Sequence, residues 1–507
     1  MTKQLFNPLL ESNFQKMGEM PYSVIVYRKG TNTIAENLNG KIISIDTDLS
    51  IVLNAAIATL TNGGVIFIRT GTYQLGGEIP ILYDGISVLG EGIDATKLYT
   101  NNATANVFTA TTRTGVHISN FSVYSNIVKT AGAFFRFEGC AHIYFDHLRI
   151  FEQFNPFYFL NEGMTWVDKI YIRNCTPFSA VPLILSYAIY VSGGSALRFS
   201  NIIADAPAAS QPLVGLYLVG AVDGFMVYNC DFLHHVTGFR LQPDGAGTYL
   251  QWGFISDSSF DSAGGNGIYI NPTNGATVRG FVFVDTWTGS CTNHGILTGT
   301  SGIIDNITFI GHRSINNMQH GVVLANSASI TNITFESCQI CSNSQQAVGT
   351  YHGIVINQQP TYIKLYNNKI GAVAGIVNNQ GYGVIFNGNP QNYIHVIQND
   401  LTGNTIAGFA AVAFTNSLIM HNIGYNPQPL AAIAVGASPY TYINNSGAIE
   451  QIHTAFVSTT AFVLTRAGVG TNIPFVAAHT MIIDLYPGDA LTWTYNAGAP
   501  TALRIPM

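Results

Sequence analysis

The chain has 507 residues, is 47% hydrophobic but only 9% charged, and carries a formal net charge of -6 with 51 glycines and 12% aromatic residues. That aromatic and apolar content excludes a disordered chain, the lack of a basic run excludes nucleic acid as a partner, and no apolar stretch approaches the roughly 18 residues of a membrane span. Asn, Thr, Ser and Gly supply the polarity that Lys and Glu normally provide, which gives a surface whose charge changes little with pH.

The chain opens on "MTKQLFNPLLESNFQKM", which lacks the apolar core of a secretory leader. The expectation is a protein that stays in the cell or leaves it on a virus particle. Residues 1–45 are expected to form an N-terminal attachment segment. Within 46–64, "TDLSIVLNAAIATLTNGG" offers Thr47 or Asp48 as N-cap, apolar residues at 49, 53, 56, 57 and 60, and Asn-Gly-Gly as a stop. An amphipathic helix there would cap the open end of a repeat array.

A repeat fills residues 65–430. Its copies include "VHISNFSV" (116), "IYFDHLRI" (143), "IYIRNCTPF" (170), "LRFSNII" (197), "FMVYNCDF" (225), "GFISDSSF" (253), "FVFVDTWT" (281) and so on to "LIMHNIGY" (418). Positions 1 and 3 of each copy are mostly apolar, the period-2 pattern of a strand with one buried face. Position 5 reads Asn120, His147, Asn174, Asn201, Asn229, Asp257, Asp285, Gly311, Ser337, Asn367, Gln398 and Asn422. These are mostly residues that tolerate a left-handed backbone, and the apolar phase resumes at positions 6 and 8. A single bent residue between two strands accounts for both facts. A third strand of pattern Gly, apolar, variable, apolar ("GLYL", "GFRL", "GIYI", "GVVL") completes each turn. The expected architecture is all-β: a parallel β-helix of about 14 coils, with coils stacked at roughly 4.8 Å.

Cys175, Cys230 and Cys338 share position 6 and are expected as buried free thiols. Cys338-x-x-Cys341 lacks a second ligand pair with zinc spacing, so no metal and no cofactor is expected. Residues 431–507 leave the repeat, and short strands with turn residues between them predict a small β-sandwich.

The run "LNAAIATLTNGGVIFIRTGTYQL…ILYDGISVLGEGIDATKLY" resembles the entry into the pectate-lyase-like right-handed β-helix superfamily, which includes pectinases, polysaccharide lyases and viral tailspikes. "YSVIVYRKGTNTIAENLNGKIIS" is similar to openings of archaeal and archaeal-virus members, and "NNSG…LYPGDALTWTYNAGAPT" to β-sandwich tails of virion spikes. The resemblance implies a right-handed β-helix. It does not fix a reaction, because one fold carries many functions. "IYFDHLRI" places Asp146 and His147 where pectate lyases have a Trp-Ile-Asp-His segment, but the tryptophan and the arginine-proline motif are missing, as are the polygalacturonase signatures.

The outward residue of the third strand reads Arg136, Tyr158, Tyr190, Tyr217, Arg240, Tyr269, Leu297, Val323, Val355 and Ile385. If the superfamily geometry holds, the first six form an aromatic and guanidinium ladder for glycan, joined by Trp287; flat rings with polar edges suit sugars. A stacked ladder that stabilises the sheet, or packs against another subunit, fits the same pattern. Loops beside it hold Glu162, Asp223, His234 and His235, with Asp231, Asp244 and Asp261 as the candidate catalytic acids if a pair lies within roughly 5–9.5 Å. Asp146, Arg173 and Arg198 read as an exposed salt-bridge group. Asn102 and Asn444 are the candidate glycosylation acceptors.

Together these features lead to the expectation of a tailspike-like virion or surface spike that binds host-surface glycan, as a homotrimer attached to other virion proteins through its N-terminal segment. A polysaccharide-cleaving glycoside hydrolase and a structural surface or sheath protein remain the alternatives.

Overall fold

The computed structural model describes residues 22–506 apart from 128, 152–153, 174–185, 207–212, 326–328, 358–359, 389–390, 411–413, 426–430, 448 and 477–478. The protein is nearly all β, a β-solenoid of about 12 turns against the 14 expected, with one α-helix among the described residues. None of its described helices is long and apolar enough to cross a membrane. The chain divides into two compact units, Met1–Val236 and Thr237–Met507.

The first unit begins with an antiparallel meander of β1 (Val24–Lys29), β2 (Asn32–Asn37) and β3 (Ile42–Asp46). β1 also pairs in parallel with β4 (Gly64–Ile68), Val24 opposite Ile66, which joins the meander to the first coil. Between them α1 (Leu49–Ala58) is capped by Asp48, whose carboxylate accepts the Ser50 N–H at 2.8 Å. Such a cap is worth about 1 kcal/mol. α1 buries Leu49, Val52, Leu53, Ala56 and Ile57, so its apolar stripe faces the protein and not solvent.

The coils of this unit stack in parallel register: Ser87 on His117, His117 on Tyr144, Tyr144 on Trp166, Trp166 on Arg198 and Arg198 on Met226. The expected bend residues Asn120, His147, Asn201 and Asn229 all have positive φ. One coil departs from the sequence reading. Thr165, not Ile170, lies opposite Ile143, and Lys169 (φ 51) holds the bend position assigned to Asn174, which lies outside the described residues. "IYI" at 170–172 follows the bend instead of preceding it. Positions 6 and 8 carry the same apolar alternation as positions 1 and 3, so the pattern alone does not distinguish the two registers.

A second left-handed column precedes position 1 and reads Gly85, Gly115, His142, Met164, Ala196 and Gly224. From the coil that begins at Gly115 to the one that begins at Gly224, each therefore turns at two sharp corners around its first strand.

In the second unit the first strands align as Phe254, Val282, Thr308, Thr334, Lys364, His395 and Leu418. Asp257 (φ 49) and Asp285 (φ 48) are bend residues, and the next coil has Gly311, whose absent Cβ leaves room for the Asp285 carboxylate. Inside, Phe283, Phe309 and Phe335 stack at 4.5 and 4.8 Å between centroids. Position 6 passes from Cys338 to a column of buried amides. Asn368 Nδ2 donates to Asn399 Oδ1, and Asn399 Nδ2 to Asn422 Oδ1, both at 2.9 Å. Asn422 thus points into the core, and His421 (φ 56) makes the last bend, one residue earlier than expected.

Buried free thiols at Cys230 and Cys338 agree with the position-6 reading, while Cys175 lies outside the described residues. After the coils come two four-stranded antiparallel sheets: Ala431–Ile433, Thr501–Pro506, Glu450–Ala455 and Thr480–Leu485 form one, and Tyr440–Ile443, Ala490–Tyr495, Thr459–Arg466 and Val469–Asn472 the other. Ile452, Phe462, Leu485, Leu491 and Trp493 from both sheets share one buried cluster, and Trp493 Nε1 donates to Thr454 Oγ1 across it at 3.0 Å.

Candidate functional site

The third strands carry the ladder in the register expected. Arg136 lies opposite Tyr158, Tyr158 opposite Tyr190 and Tyr190 opposite Tyr217 in the first unit. In the second unit Arg240 lies opposite Tyr269 and Tyr269 opposite Leu297. Period-2 alternation sends Phe157, Phe159, Ile189 and Val191 inward, so the residue between each pair must point out. The Arg136 and Arg240 guanidinium carbons lie 5.9 and 5.5 Å from the ring centroids of Tyr158 and Tyr269.

The tyrosine geometry changes what the ladder presents. Tyr158 and Tyr190 stack at 4.3 Å with planes 7° apart, so each covers one face of the other. Tyr217 meets Tyr190 edge-on at 78°. What points outward is therefore mainly a row of ring edges and hydroxyls, together with the exposed Arg136. Burial, then the charge and hydroxyl of Tyr190, push the Tyr158 phenol up to about 12. It is a neutral hydrogen-bonding group at every ordinary pH. Asn106, Gly132, Ala133, Arg136, Asn155 and Tyr158 line a shallow depression of about 190 Å³ at the start of the row.

The three candidate acids occupy different parts of the coil. Asp231 begins the strand after the bend, opposite Ile203. Asp244 follows the third strand Thr237–Leu241, and Asp261 precedes the third strand Asn266–Ile270. A five-residue strand spans about 16 Å, which puts Asp244 and Asp261 at opposite ends of this strand layer and does not bring them together as a pair. Asp244 accepts from Thr273 Oγ1 at 2.6 Å and Asn274 Nδ2 at 2.7 Å, bonds that hold its carboxyl below the usual range. Trp287 lies on the strand after the bend, opposite Ser259 and Arg313, away from the third-strand ladder. His235 is buried, and His234 pairs with Asp205 at 2.9 Å. Glu162 lies at the corner after Tyr158 and is buried, with Oε1 accepting the Cys140 N–H at 3.2 Å and Oε2 without a hydrogen-bond partner among the described residues. Burial pushes its carboxyl up to about 8 against the lowering effect of that bond.

The structure assembles a different cluster on the outward face of the first strands. Asp146 Oδ1 lies 2.6 Å from His117 Nε2, and its Oδ2 lies 2.7 Å from His147 Nδ1. Partial burial raises this carboxyl, but the two imidazole bonds outweigh it and leave the group below its usual range. Asp168 is the register partner of Asp146 on the next coil and accepts from Ser200 Oγ and Asn201 Nδ2, both at 2.7 Å. Tyr144 and Trp166 stack beside them at 4.6 Å and 2°, and Arg198 covers Trp166 at 5.8 Å. Asp146 therefore pairs with histidines, and Arg198 packs on an indole; the expected salt-bridge group of Asp146, Arg173 and Arg198 does not form. His117 comes from the preceding coil and Trp166 from the misregistered one, so the sequence pattern did not connect them. No group of three His, Cys, Asp or Glu side chains able to hold a metal occurs among the described residues.

No protein-family model matches the sequence. No curated protein matches it either. Among solved structures it is similar to the mannuronan C-5 epimerase A-module of Azotobacter vinelandii, with 14% identity, a TM-score of 0.49, and 75% of this chain and 96% of that one covered. A second is the tailspike protein of E. coli bacteriophage HK620 in complex with pentasaccharide (12% identity, TM-score 0.47, covering 93% and 92%). A third is PfbA, a surface adhesin of Streptococcus pneumoniae (11%, 0.44, covering 63% and 86%). These are right-handed β-helix proteins, and likeness at this level concerns fold alone. This chain is a parallel β-helix by its own strand pairing.

Proposed function

We propose that this protein is a surface spike that binds glycan, in the manner of a virion attachment protein. The observation that carries the reading is the row Arg136, Tyr158, Tyr190 and Tyr217, aligned on consecutive coils and pointing outward. A coil spacing of about 4.8 Å is comparable to the length of one pyranose residue, so an extended chain laid along the row meets a phenol or guanidinium at each step. Neutral hydroxyls hydrogen-bond to sugar hydroxyls in both directions. An extracellular location, a homotrimer and attachment to other virion proteins through residues 1–45 belong to the same proposal.

Cleavage is the second reading, and it moves to Asp146 and Asp168. They are register partners one coil apart, the order of separation that a retaining carboxylate pair needs, about 5 Å. Asp146, kept ionised by two imidazoles, suits a base or nucleophile and not a general acid, which favours binding without turnover.

The test is binding of a panel of envelope polysaccharides, with new reducing ends assayed in parallel. Binding that falls about tenfold or more in Arg136→Ala, Tyr158→Ala and Tyr190→Ala combined supports the proposal. No binding, or binding indifferent to these changes, overturns it. Reducing ends that disappear in Asp146→Asn or Asp168→Asn establish the second reading.

A further inference from the structure

Aromatic side chains that repeat along a solenoid cover one another. Tyr144 with Trp166, Tyr158 with Tyr190 and Tyr362 with Tyr393 lie within 2°, 7° and 6° of parallel, and each loses a face to its neighbour. Trp252 is different. No ring stacks on it among the described residues, and it is 56% exposed.

Two independent features hold it there. Trp252 belongs to the left-handed column before position 1, with φ 58. Later members of that column in the same unit are Gly280, Asn306, Asn332, Tyr362, Tyr393 and Asn416. A left-handed backbone is uncommon for a bulky residue and costs of order 1–3 kcal/mol. Gly or Asn would remove that cost, yet a tryptophan stands at this position. The next coil supplies Gly280, where an added Cβ would lie 2.7 Å from Trp252 Cε3 and 2.9 Å from Cζ3. The indole therefore rests on bare backbone, and any side chain at 280 would displace it.

The surroundings are those of a sugar platform. In the same strand Tyr249 and Phe254 are 37% and 40% exposed. The row just before the column is polar: Arg279 Nε and Nη2 donate to Gln251 Oε1 at 2.9 and 2.7 Å, and Asp305 lies opposite Arg279. An aromatic face takes the C–H side of a pyranose, while a guanidinium, an amide and a carboxylate in one row offer donors and acceptors to its hydroxyls.

We infer that Trp252, with Gln251 and Arg279 at its edge, forms a subsite for one hexopyranose ring of a polysaccharide. It rests on the glycan-binding reading but uses none of the ladder residues, all of which lie on the third strands.

The test compares oligosaccharide affinity in the full chain, in Trp252→Asn and in Arg136→Ala/Tyr158→Ala/Tyr190→Ala. Asn suits the left-handed position, as Asn306 and Asn332 attest, so Trp252→Asn keeps or raises the thermal midpoint. The expected result is a loss of affinity of roughly tenfold, with bound sugar shielding the exposed indole from acrylamide quenching in the unsubstituted chain. Unchanged affinity in Trp252→Asn and no shielding of the indole by bound sugar in the unsubstituted chain, with affinity lost in the ladder variant, overturn this subsite and leave the proposed function standing. If the unsubstituted chain binds no glycan, both fall.

Discussion

His320 Nδ1 accepts the backbone N–H of His352 at 2.9 Å, and the relationship repeats along the solenoid. His294 Nδ1 accepts the His320 N–H at 3.3 Å, and His352 Nδ1 the Tyr382 N–H at 3.2 Å. Each imidazole must be neutral, with its proton on Nε2, because a protonated Nδ1 would face another donor.

Acid is therefore expected to weaken the second unit. Burial lowers His294 to about 4 and His320 to about 3, from 6.5 when unfolded. The unfolded chain takes up these protons first, so the ladder's contribution is complete above pH 6.5 and is lost as pH falls towards 3. His320→Gln supplies an acceptor that does not titrate; equilibrium unfolding followed against pH should show a shallower acid decline. An unchanged slope would refute the role given to the ladder.

Glu162 works in the opposite direction in the first unit. Its folded carboxyl titrates near 8 against 4.5 unfolded, so stability present below pH 4.5 is lost as pH rises through 8. Glu162→Gln should match the parent at pH 4 and exceed it at pH 8 by up to several kcal/mol, read from urea midpoints at the two pH values.

The amide column is expected to be sensitive. Asn399 Oδ1 accepts from the Asn368 backbone and side chain, and its own Nδ2 donates to Leu365 O and Asn422. Asn399→Leu strands several buried polar groups at about 1–3 kcal/mol each. A lowered thermal midpoint of the second unit is expected; a loss below about 1 kcal/mol would mean the column contributes little.

Lys169 occupies a left-handed bend position that asparagine fills at 120, 201 and 229. Its ion pair with Asp168, at 3.7 Å and half-exposed, is worth little. Lys169→Asn should raise stability by roughly 0.5–1 kcal/mol, measured as a higher denaturant midpoint.

Much of this was written in the sequence. Strand repetition, a bend that favours Asn, Asp or Gly, and a helix capped at Thr47 or Asp48 (the Asp48–Ser50 bond settles the cap on Asp48) are local demands of backbone geometry, and each leaves a residue signature. So does the third-strand ladder, because alternation fixes which side chain points out. Asp257 and Asp285 were legible as turn residues for the same reason.

Tertiary structure decided what depends on neighbouring coils. The parity shift at the bend makes positions 6 and 8 look like 1 and 3, so the register at Thr165–Ile172 and at His421 needed the pairing itself. Whether an aromatic ring offers a face depends on the residue one coil along: Tyr190 covers Tyr158, whereas Gly280 leaves Trp252 open. The partners of Asp146 came from two coils, and Asp244 and Asp261 proved to flank opposite ends of a strand. Residue type fixes a local conformation, but encounters across coils depend on coil lengths that no single repeat encodes.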